Sequence, residues 1–249
     1  MFNSFFNIIQ FLFERFYPIY KPLYFFYKKK KDSFELSLIK NIVRNGNVVF
    51  DIGANIGFYS SFFSKYAGKH GQVYSFEPDS LNFSYLLKGT FSIPTINIFN
   101  TAIGPQKDTI SFYKSKSLNV DHRTYKPDHF AEETKVNMTS IDHFCSEHAI
   151  DKIDFIKIDI QGYEMQAMLG AKFQLEKNRG IKILSEFWPY GLKKSGSSVL
   201  EYFDFLIQLE FQVFLLDKSQ LLPLYRDQVL NMVNLPEENY FNIYAYRNV

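Results

Sequence analysis

The sequence contains a single cysteine, Cys145, so a disulfide within the chain is excluded. A lone thiol fits a reducing compartment, and we therefore predict a cytoplasmic protein in which Cys145 is a small buried residue. The formal net charge of +2 is nearly neutral, which gives no reason to expect nucleic acid as a partner. The sequence also lacks an apolar run of about 18 residues that would span a membrane, and its first residues lack the features of a cleavable signal peptide.

Apolar runs and amphipathic stretches alternate from residue 34 onward, in a chain of 249 residues of which 46% are hydrophobic. Strands are predicted over residues 48–52, 72–76, 95–101, 154–158, 181–185, 211–216 and 240–247. Helices are predicted over residues 34–44, 56–67, 79–89, 163–177 and 197–210. This alternation predicts one α/β domain over residues 33–249, with a mostly parallel, doubly wound sheet covered by helices on both faces.

Residues 106–138 interrupt this alternation. Short strand patterns at residues 109–113 and 135–139 flank a polar, basic stretch that contains His122 and His129. We predict a β-rich insertion whose loop lies over the carboxyl edge of the sheet, where long polar loops commonly bind substrate.

Residues 1–32 form an amphipathic, aromatic segment that differs in kind from the rest of the chain. Aromatic and aliphatic residues recur at helical spacing from Phe2 to Phe16, and Pro18 and Pro22 are expected to end or kink the helix. More aromatic residues follow, and residues 28–31 are all lysine. Two interpretations stay open for residues 1–31: peripheral contact with the inner face of a membrane, or packing on the domain itself or on a second subunit in a homo-oligomer.

Residues 48–57 carry the most informative pattern, an apolar strand that ends in Asp51 and leads through Gly53 to Gly57. Glycine permits a sharp turn and close approach of a ligand, and an acid at the carboxyl end of a strand suits a cation or a ligand amine. The dinucleotide fingerprint would need glycine where the chain has Asn55, and no Gly-Lys-Ser/Thr of a P-loop follows.

A second acid, Glu77, ends the next predicted strand and precedes Pro78. It lies about 20 residues past Gly57, the offset at which an acid reaches a ribose hydroxyl in nucleotide-binding units. Capping the following helix is an alternative role for Glu77, and both roles are compatible.

Five stretches together resemble the FkbM family of S-adenosylmethionine-dependent methyltransferases: residues 51–59, 77–78, 139–144, 156–164 and 169–171. The resemblance implies a Rossmann-like class I methyltransferase fold, with a seven-stranded sheet whose last strand is antiparallel. It also implies S-adenosylmethionine as cofactor, held by Asp51, Gly53, Ala54, Asn55, Gly57, Phe58, Glu77, Pro78 and Ala102. One departure is Gln161, where the family usually carries glutamate.

Asp159, at the end of the fourth strand, is the first candidate for a catalytic group, and Glu186 after the fifth strand is the second. His122 is a third candidate base, with His129 as another histidine of the insertion. Lys157 is expected to point away from Asp159 and to form a structural ion pair. We predict no metal site from histidine or cysteine; a divalent cation on Asp159 and Glu186 is a further possibility that Gln161 weakens.

These features predict an S-adenosylmethionine-dependent O-methyltransferase whose acceptor is a sugar hydroxyl of a glycan or lipid-linked saccharide. A small-molecule acceptor, the hydroxyl of a secondary metabolite, is the alternative within the same chemistry. An NAD-binding oxidoreductase and a non-catalytic protein of the same fold are the other classes. Asn55 argues against the first, and the intact acids Asp51 and Glu77 argue against the second.

Overall fold

The computed structural model describes residues 11–115, 122–127, 130 and 132–248. His129 and the first ten residues, including Phe2, lie outside the described residues. The strands, in chain order, are β1 (Val48–Ile52), β2 (Gln72–Phe76), β3 (Ile96–Phe99), β4 (Ala102–Ile103), β5 (Asp108–Lys114), β6 (Glu132–Thr139), β7 (Phe155–Ile158), β8 (Lys182–Phe187), β9 (Gln212–Asp217), β10 (Gln220–Pro223) and β11 (Phe241–Tyr246).

The large sheet has the strand order β10-β9-β11-β8-β7-β1-β2-β3. Strands β8, β7, β1, β2 and β3 are parallel, and β11 is antiparallel to both of its neighbours. The predicted mostly parallel sheet with an antiparallel last strand is therefore confirmed. The described sheet has eight strands rather than seven, because the chain turns back after Asp217 and adds β10 to the edge of β9.

The helices are α1 (Tyr17–Lys31), α2 (Ser33–Ile42), α3 (Phe58–Ala67), α4 (Ser80–Thr90), α5 (Ile141–Glu147), α6 (Glu164–Leu169), α7 (Lys172–Lys177), α8 (Pro189–Lys194), α9 (Val199–Gln208) and α10 (Arg226–Met232). They bury both faces of the large sheet. Phe50 belongs to a core cluster that includes residues of α5, α6 and α9, whereas Val49 belongs to a second cluster with residues of α2 and α3. Neighbouring residues of β1 thus face opposite layers, as a strand requires.

The single helix predicted over residues 163–177 is two short helices, α6 and α7, separated at Gly170. At this position a Cβ atom would lie 2.1 Å from the carbonyl oxygen of Gly104. The break therefore comes from a close backbone contact between distant segments, which helical periodicity does not report.

The insertion forms a small sheet with the order β4-β6-β5. Strands β5 and β6 pair along their whole length as an antiparallel hairpin, and β4 joins β6 in parallel. The β-rich character predicted for residues 106–138 is thus present in the described strands, and the sheet also recruits Ala102 and Ile103.

Residues 11–15 are helical, the helix breaks at Phe16, and α1 begins at Tyr17. Pro18 occupies the first turn of α1, where a missing N–H group costs little. Pro22 lies inside α1 and does not end the helix; the other expected effect, a kink at Pro22, stays a prediction. Packing of the flanking turns outweighs the lost hydrogen bond of Pro22.

One face of this segment packs on the domain. The ring of Tyr17 stacks on that of Tyr85 in α4 with centroids 3.7 Å apart, and Phe13 and Tyr20 are buried in the same cluster with Ile56. For these residues the packing interpretation is correct. Within the described ranges, no helix combines the length and apolarity that crossing a membrane requires.

Candidate functional site

A cavity of about 1110 Å³ opens at the carboxyl ends of the parallel strands, the edge where open α/β sheets bind ligands. Ten of the predicted site residues line it: Gly53, Ala54, Asn55, Phe58, Glu77, Pro78, Ala102, His122, Asp159 and Glu186. The fold therefore brings together side chains from β1, β2, β7, β8 and the insertion. Asp51 and Gly57 lie behind this wall.

The turn after β1 is left-handed at three positions, with φ of +79° at Gly53, +50° at Asn55 and +86° at Gly57. A Cβ atom on Gly53 would lie 2.0 Å from the carbonyl oxygen of Asp159, so only glycine lets the β1 and β7 loops approach each other. Asparagine tolerates the left-handed region better than most residues. Asn55 can therefore stand where the dinucleotide fingerprint has glycine.

Glu77 is held by backbone donors on both sides. The N–H of Asn55 donates to its Oε2 atom at 2.8 Å, and the N–H of Asp79 donates to its Oε1 atom at 2.9 Å. Burial raises the pKa of Glu77 to about 8, against the opposing effect of these donors. The Asn82 side chain is a further hydrogen-bond partner, so the Glu77 carboxyl group is fixed in place and keeps acceptor capacity for one more donor at the cavity.

Asp51 lies beneath the cavity floor. Its Oδ2 atom accepts a hydrogen bond from the Ser60 hydroxyl at 2.6 Å, and Ser75 in turn donates to Ser60. Burial raises the pKa of Asp51 above its ordinary value, although the Lys157 ammonium and Ser60 oppose the change. A direct contact between Asp51 and a cofactor stays a prediction. In the structure this carboxyl group is buried under the turn that follows β1 and is bonded to Ser60.

The Asp51→Asn variant should therefore gain stability relative to wild type as pH rises. Because the folded-state pKa of Asp51 is raised, its contribution to folding is complete below the ordinary aspartate pKa and is lost as pH rises through the folded-state value. The melting temperature of the variant minus that of wild type should grow by a few degrees from acidic to neutral pH in thermal scans. If this difference in melting temperature shrinks as pH rises, the folded protein favours the ionised form of Asp51 and the expectation is wrong.

Asp159 and Glu186 are joined by the residue at which this sequence departs from the family. The Nε2 atom of Gln161 lies 3.2 Å from Oδ1 of Asp159 and 3.3 Å from Oε2 of Glu186. An amide donor thus stands between the two carboxylates, in the place where a shared cation would need an oxygen ligand. Among the described residues, no group of three or more His, Cys, Asp or Glu side chains is arranged around a metal position.

Lys157 is the principal site residue that sequence reasoning misplaced. Residues two apart on a strand share a face, so Lys157 points with Asp159 and not away from it. Its ammonium group lies 3.2 Å from Oδ2 of Asp159 and 4.7 Å from the ring centroid of Tyr59, with only 6% of the side chain exposed. The predicted ion pair exists, but its partner is the catalytic candidate itself. A lysine within an otherwise apolar strand was the signal.

A second lysine, on α1, acts on the same carboxylate through its charge. Lys28 pairs with Asp32, whose Oδ2 atom also accepts the Tyr59 hydroxyl at 2.8 Å. Burial alone would raise the pKa of Asp159, but Lys157 and then Lys28 outweigh it and hold the pKa below its ordinary value. Asp159 is therefore ionised at neutral pH, and the Lys157 ammonium and the Gln161 amide orient it.

His122 forms part of the wall supplied by the insertion. Its Nδ1 atom accepts the backbone N–H of Ser115 at 3.1 Å, so the neutral ring carries its proton on Nε2. Burial lowers the pKa of His122; Asp79 opposes this change, and Lys114 adds to it by a smaller amount. His122 is therefore better placed to donate a hydrogen bond from Nε2 than to act as a base.

Arg123, Trp188 and Glu237 form another part of the wall that the sequence did not reveal. The Arg123 guanidinium lies 3.0 Å from Oε1 of Glu237 and 5.0 Å from the Trp188 ring centroid, and the indole N–H donates to the Glu237 carbonyl at 2.8 Å. These residues come from the insertion, the end of β8 and the loop before β11. Only the fold brings them together, although a lone tryptophan beside a strand end was a usable signal.

Comparison with known proteins identifies the relatives of this architecture. The sequence model described as the methyltransferase FkbM domain matches residues 51–216. The 2-O-methyltransferase NoeI of Sinorhizobium fredii is 27% identical over 149 residues, which cover 54% of this chain and 61% of the relative. The chain thus spans less than two thirds of the length of this curated relative.

Two solved structures show the same fold. The methyltransferase FkbM of Methylobacillus flagellatus superposes with a TM-score of 0.50 at 17% identity, over 81% of this chain and 44% of the other. An rRNA methylase of Streptococcus thermophilus superposes with a TM-score of 0.50 at 10% identity, over 86% of this chain and 95% of the other. The fold is the Rossmann-like class I methyltransferase fold, and because the family match extends over most of the sequence, this chain belongs to the FkbM methyltransferase family.

Proposed function

We propose that this protein is an S-adenosylmethionine-dependent O-methyltransferase that acts in the cytoplasm on a sugar hydroxyl of a glycan or lipid-linked saccharide. The observation that carries the proposal is one cavity of about 1110 Å³ that contains both the Glu77 carboxylate and the Asp159 carboxylate. Its volume exceeds the roughly 300–1,000 Å³ of a typical small-molecule site. The cavity therefore has room for a cofactor and an acceptor together.

The residues at one part of the cavity fit the cofactor. S-adenosylmethionine supplies an activated methyl group when bound. Glu77 would accept a hydrogen bond from a ribose hydroxyl, because backbone donors fix its position and the carboxyl group keeps acceptor capacity for a further donor. The glycine turn from Gly53 to Asn55 would accommodate the amino-acid end, and Pro78 and Ala102 offer apolar surface to the adenine.

Asp159 would act on the acceptor. An ionised carboxylate accepts the hydrogen bond of an acceptor hydroxyl and so orients its oxygen for attack, which is a large part of catalysis when two reactants are held together. Asp159 would take up the proton that this hydroxyl loses. Lys157 and Gln161 hold the carboxylate in place during this step.

The composition of the remaining wall supports a sugar as the acceptor. The aromatic ring of Tyr240 lies there beside the charged group of Lys31, and the ring of Trp188 lies beside that of Arg123. Flat rings suit the C–H faces of a pyranose, and charged donors suit its hydroxyl groups. The name of the relative, a 2-O-methyltransferase, supports oxygen as the atom that receives the methyl group.

Isothermal titration of the full chain with S-adenosylmethionine and, separately, with NAD⁺ tests the proposal. We expect saturable binding of S-adenosylmethionine and no heat from NAD⁺, because the turn after β1 lacks the second fingerprint glycine. Binding of NAD⁺ alone would indicate an oxidoreductase. Binding of neither ligand would indicate a non-catalytic member of the family.

A further inference from the structure

Helix α1 has two apolar faces, and only one of them is covered. Its inner face packs on the domain through Tyr20, Tyr24 and Phe25. Its outer face carries Ile19, Leu23, Phe26 and Tyr27, which are 55%, 59%, 62% and 57% exposed. These four residues, here named the outer stripe, have the spacing of one helix surface. Large exposed apolar surface on a helix indicates an interaction site.

The charge around the outer stripe has one sign. Residues 15–31 include six basic side chains and no acidic one: Arg15, Lys21, Lys28, Lys29, Lys30 and Lys31. Lys29 and Lys30 are exposed, and within the described chain neither forms an ion pair. The ammonium group of Lys30 lies 4.6 Å from the ring centroid of Phe26, so charge and apolar surface adjoin on the same face.

We propose that the outer stripe docks on an anionic lipid bilayer, with its apolar side chains at the boundary between headgroups and acyl chains and the lysines at the lipid phosphates. Basic residues beside aromatic and aliphatic ones are the composition of interfacial helices. A second copy of this chain is a poorer occupant, because a two-fold contact through this face would bring the exposed Lys29 and Lys30 of one copy close to the same lysines of the other.

Docking would place the cavity at the bilayer surface. Leu23, Tyr27 and Lys31 of α1 also line the cavity, so the helix that meets the lipid is a wall of the site. Together with the proposed function, on which this step rests, the geometry favours a lipid-linked acceptor presented from the membrane.

The apolar contribution is tested with the full chain and vesicles of phosphatidylcholine, with and without phosphatidylglycerol, in a sedimentation assay. Phe26→Ser should weaken binding to the anionic vesicles by at least about tenfold, the scale of one buried phenylalanine side chain. Phe91→Ser is the matched control, because Phe91 is 86% exposed and lies outside α1, and it should bind like wild type. Both variants should melt at the wild-type temperature, since both side chains are exposed.

The electrostatic contribution is tested by Lys29→Gln with Lys30→Gln. Each lysine near an anionic surface contributes about fivefold in affinity, so the pair should lose about 25-fold at low salt, and the loss should fade at high salt. A control pair, Lys69→Gln with Lys107→Gln, should leave binding unchanged.

Phe26→Ser protein that binds anionic vesicles like wild type overturns the proposal, as does Phe26→Ser protein that changes from dimer to monomer in sedimentation equilibrium. None of these readouts requires methyl transfer, and unchanged S-adenosylmethionine affinity in Phe26→Ser separates docking from the proposed function.

Discussion

Replacing Asp159 by asparagine is expected to lower turnover by at least about 100-fold, the usual scale of a lost general base. Asparagine keeps the size of the side chain but removes the charge that accepts the hydroxyl proton. Affinity for S-adenosylmethionine should stay close to that of wild type, because Glu77 and the β1 turn are untouched. The measurement is transfer of tritium from methyl-labelled S-adenosylmethionine into the glycolipid and polysaccharide fractions of the source cells, paired with calorimetric titration of the cofactor.

The control variant is Asp151→Asn. Asp151 precedes β7, as Asp159 follows it, but its side chain is 97% exposed and forms a surface ion pair with Lys177. Wild-type turnover in Asp151→Asn together with a large loss in Asp159→Asn assigns the effect to the site. Unchanged turnover in Asp159→Asn would remove that residue from the mechanism. Glu186, which also accepts a hydrogen bond from the Gln161 amide, would then be the next candidate for the base.

The central sheet was predictable because its signals are local. Each parallel strand is a short apolar run that ends near a turn residue, and the acids Glu77 and Asp159 mark the carboxyl ends of β2 and β7. The carboxyl ends of neighbouring parallel strands meet at one edge, so sequence alone could place these acids in one cavity. The sharp turn from Gly53 to Gly57 was predictable as well, because glycine adopts left-handed backbone conformations freely.

Most of the features that were predicted wrongly or missed depend on contacts between residues that are far apart in the chain. The break between α6 and α7 depends on the backbone of Gly104. The helix that continues past Pro22 depends on aromatic packing against Tyr85. Lys157 was within reach of sequence reasoning, because residues two apart on a strand share a face. The wall built by Arg123 and Trp188 was not, because no local pattern joins residues so far apart in the chain.

Replacing Glu77 by alanine is expected to weaken S-adenosylmethionine binding roughly ten- to more than a hundredfold. This loss is expected above about pH 8, where the carboxyl group is ionised, because a hydrogen bond to a charged group contributes about 1.5–3 kcal/mol. The carboxylate has two functions that the variant removes together. It offers acceptors to a ribose diol, and it holds the backbone N–H of Asn55 at 2.8 Å and so fixes the turn after β1.

The pH dependence of affinity separates these two functions of Glu77. Burial raises the pKa of Glu77 to about 8, so wild-type protein carries mostly the protonated form at neutral pH. Ribose hydroxyls donate more strongly to the ionised form, and wild-type affinity should therefore increase as pH rises through about 8. The Glu77→Ala variant should lack this rise, whereas Glu176→Ala, on the exposed surface of α7, should retain it in calorimetric titrations. A wild-type profile that is flat over this range would assign Glu77 to the turn alone, and wild-type affinity in Glu77→Ala would show that the cofactor binds elsewhere.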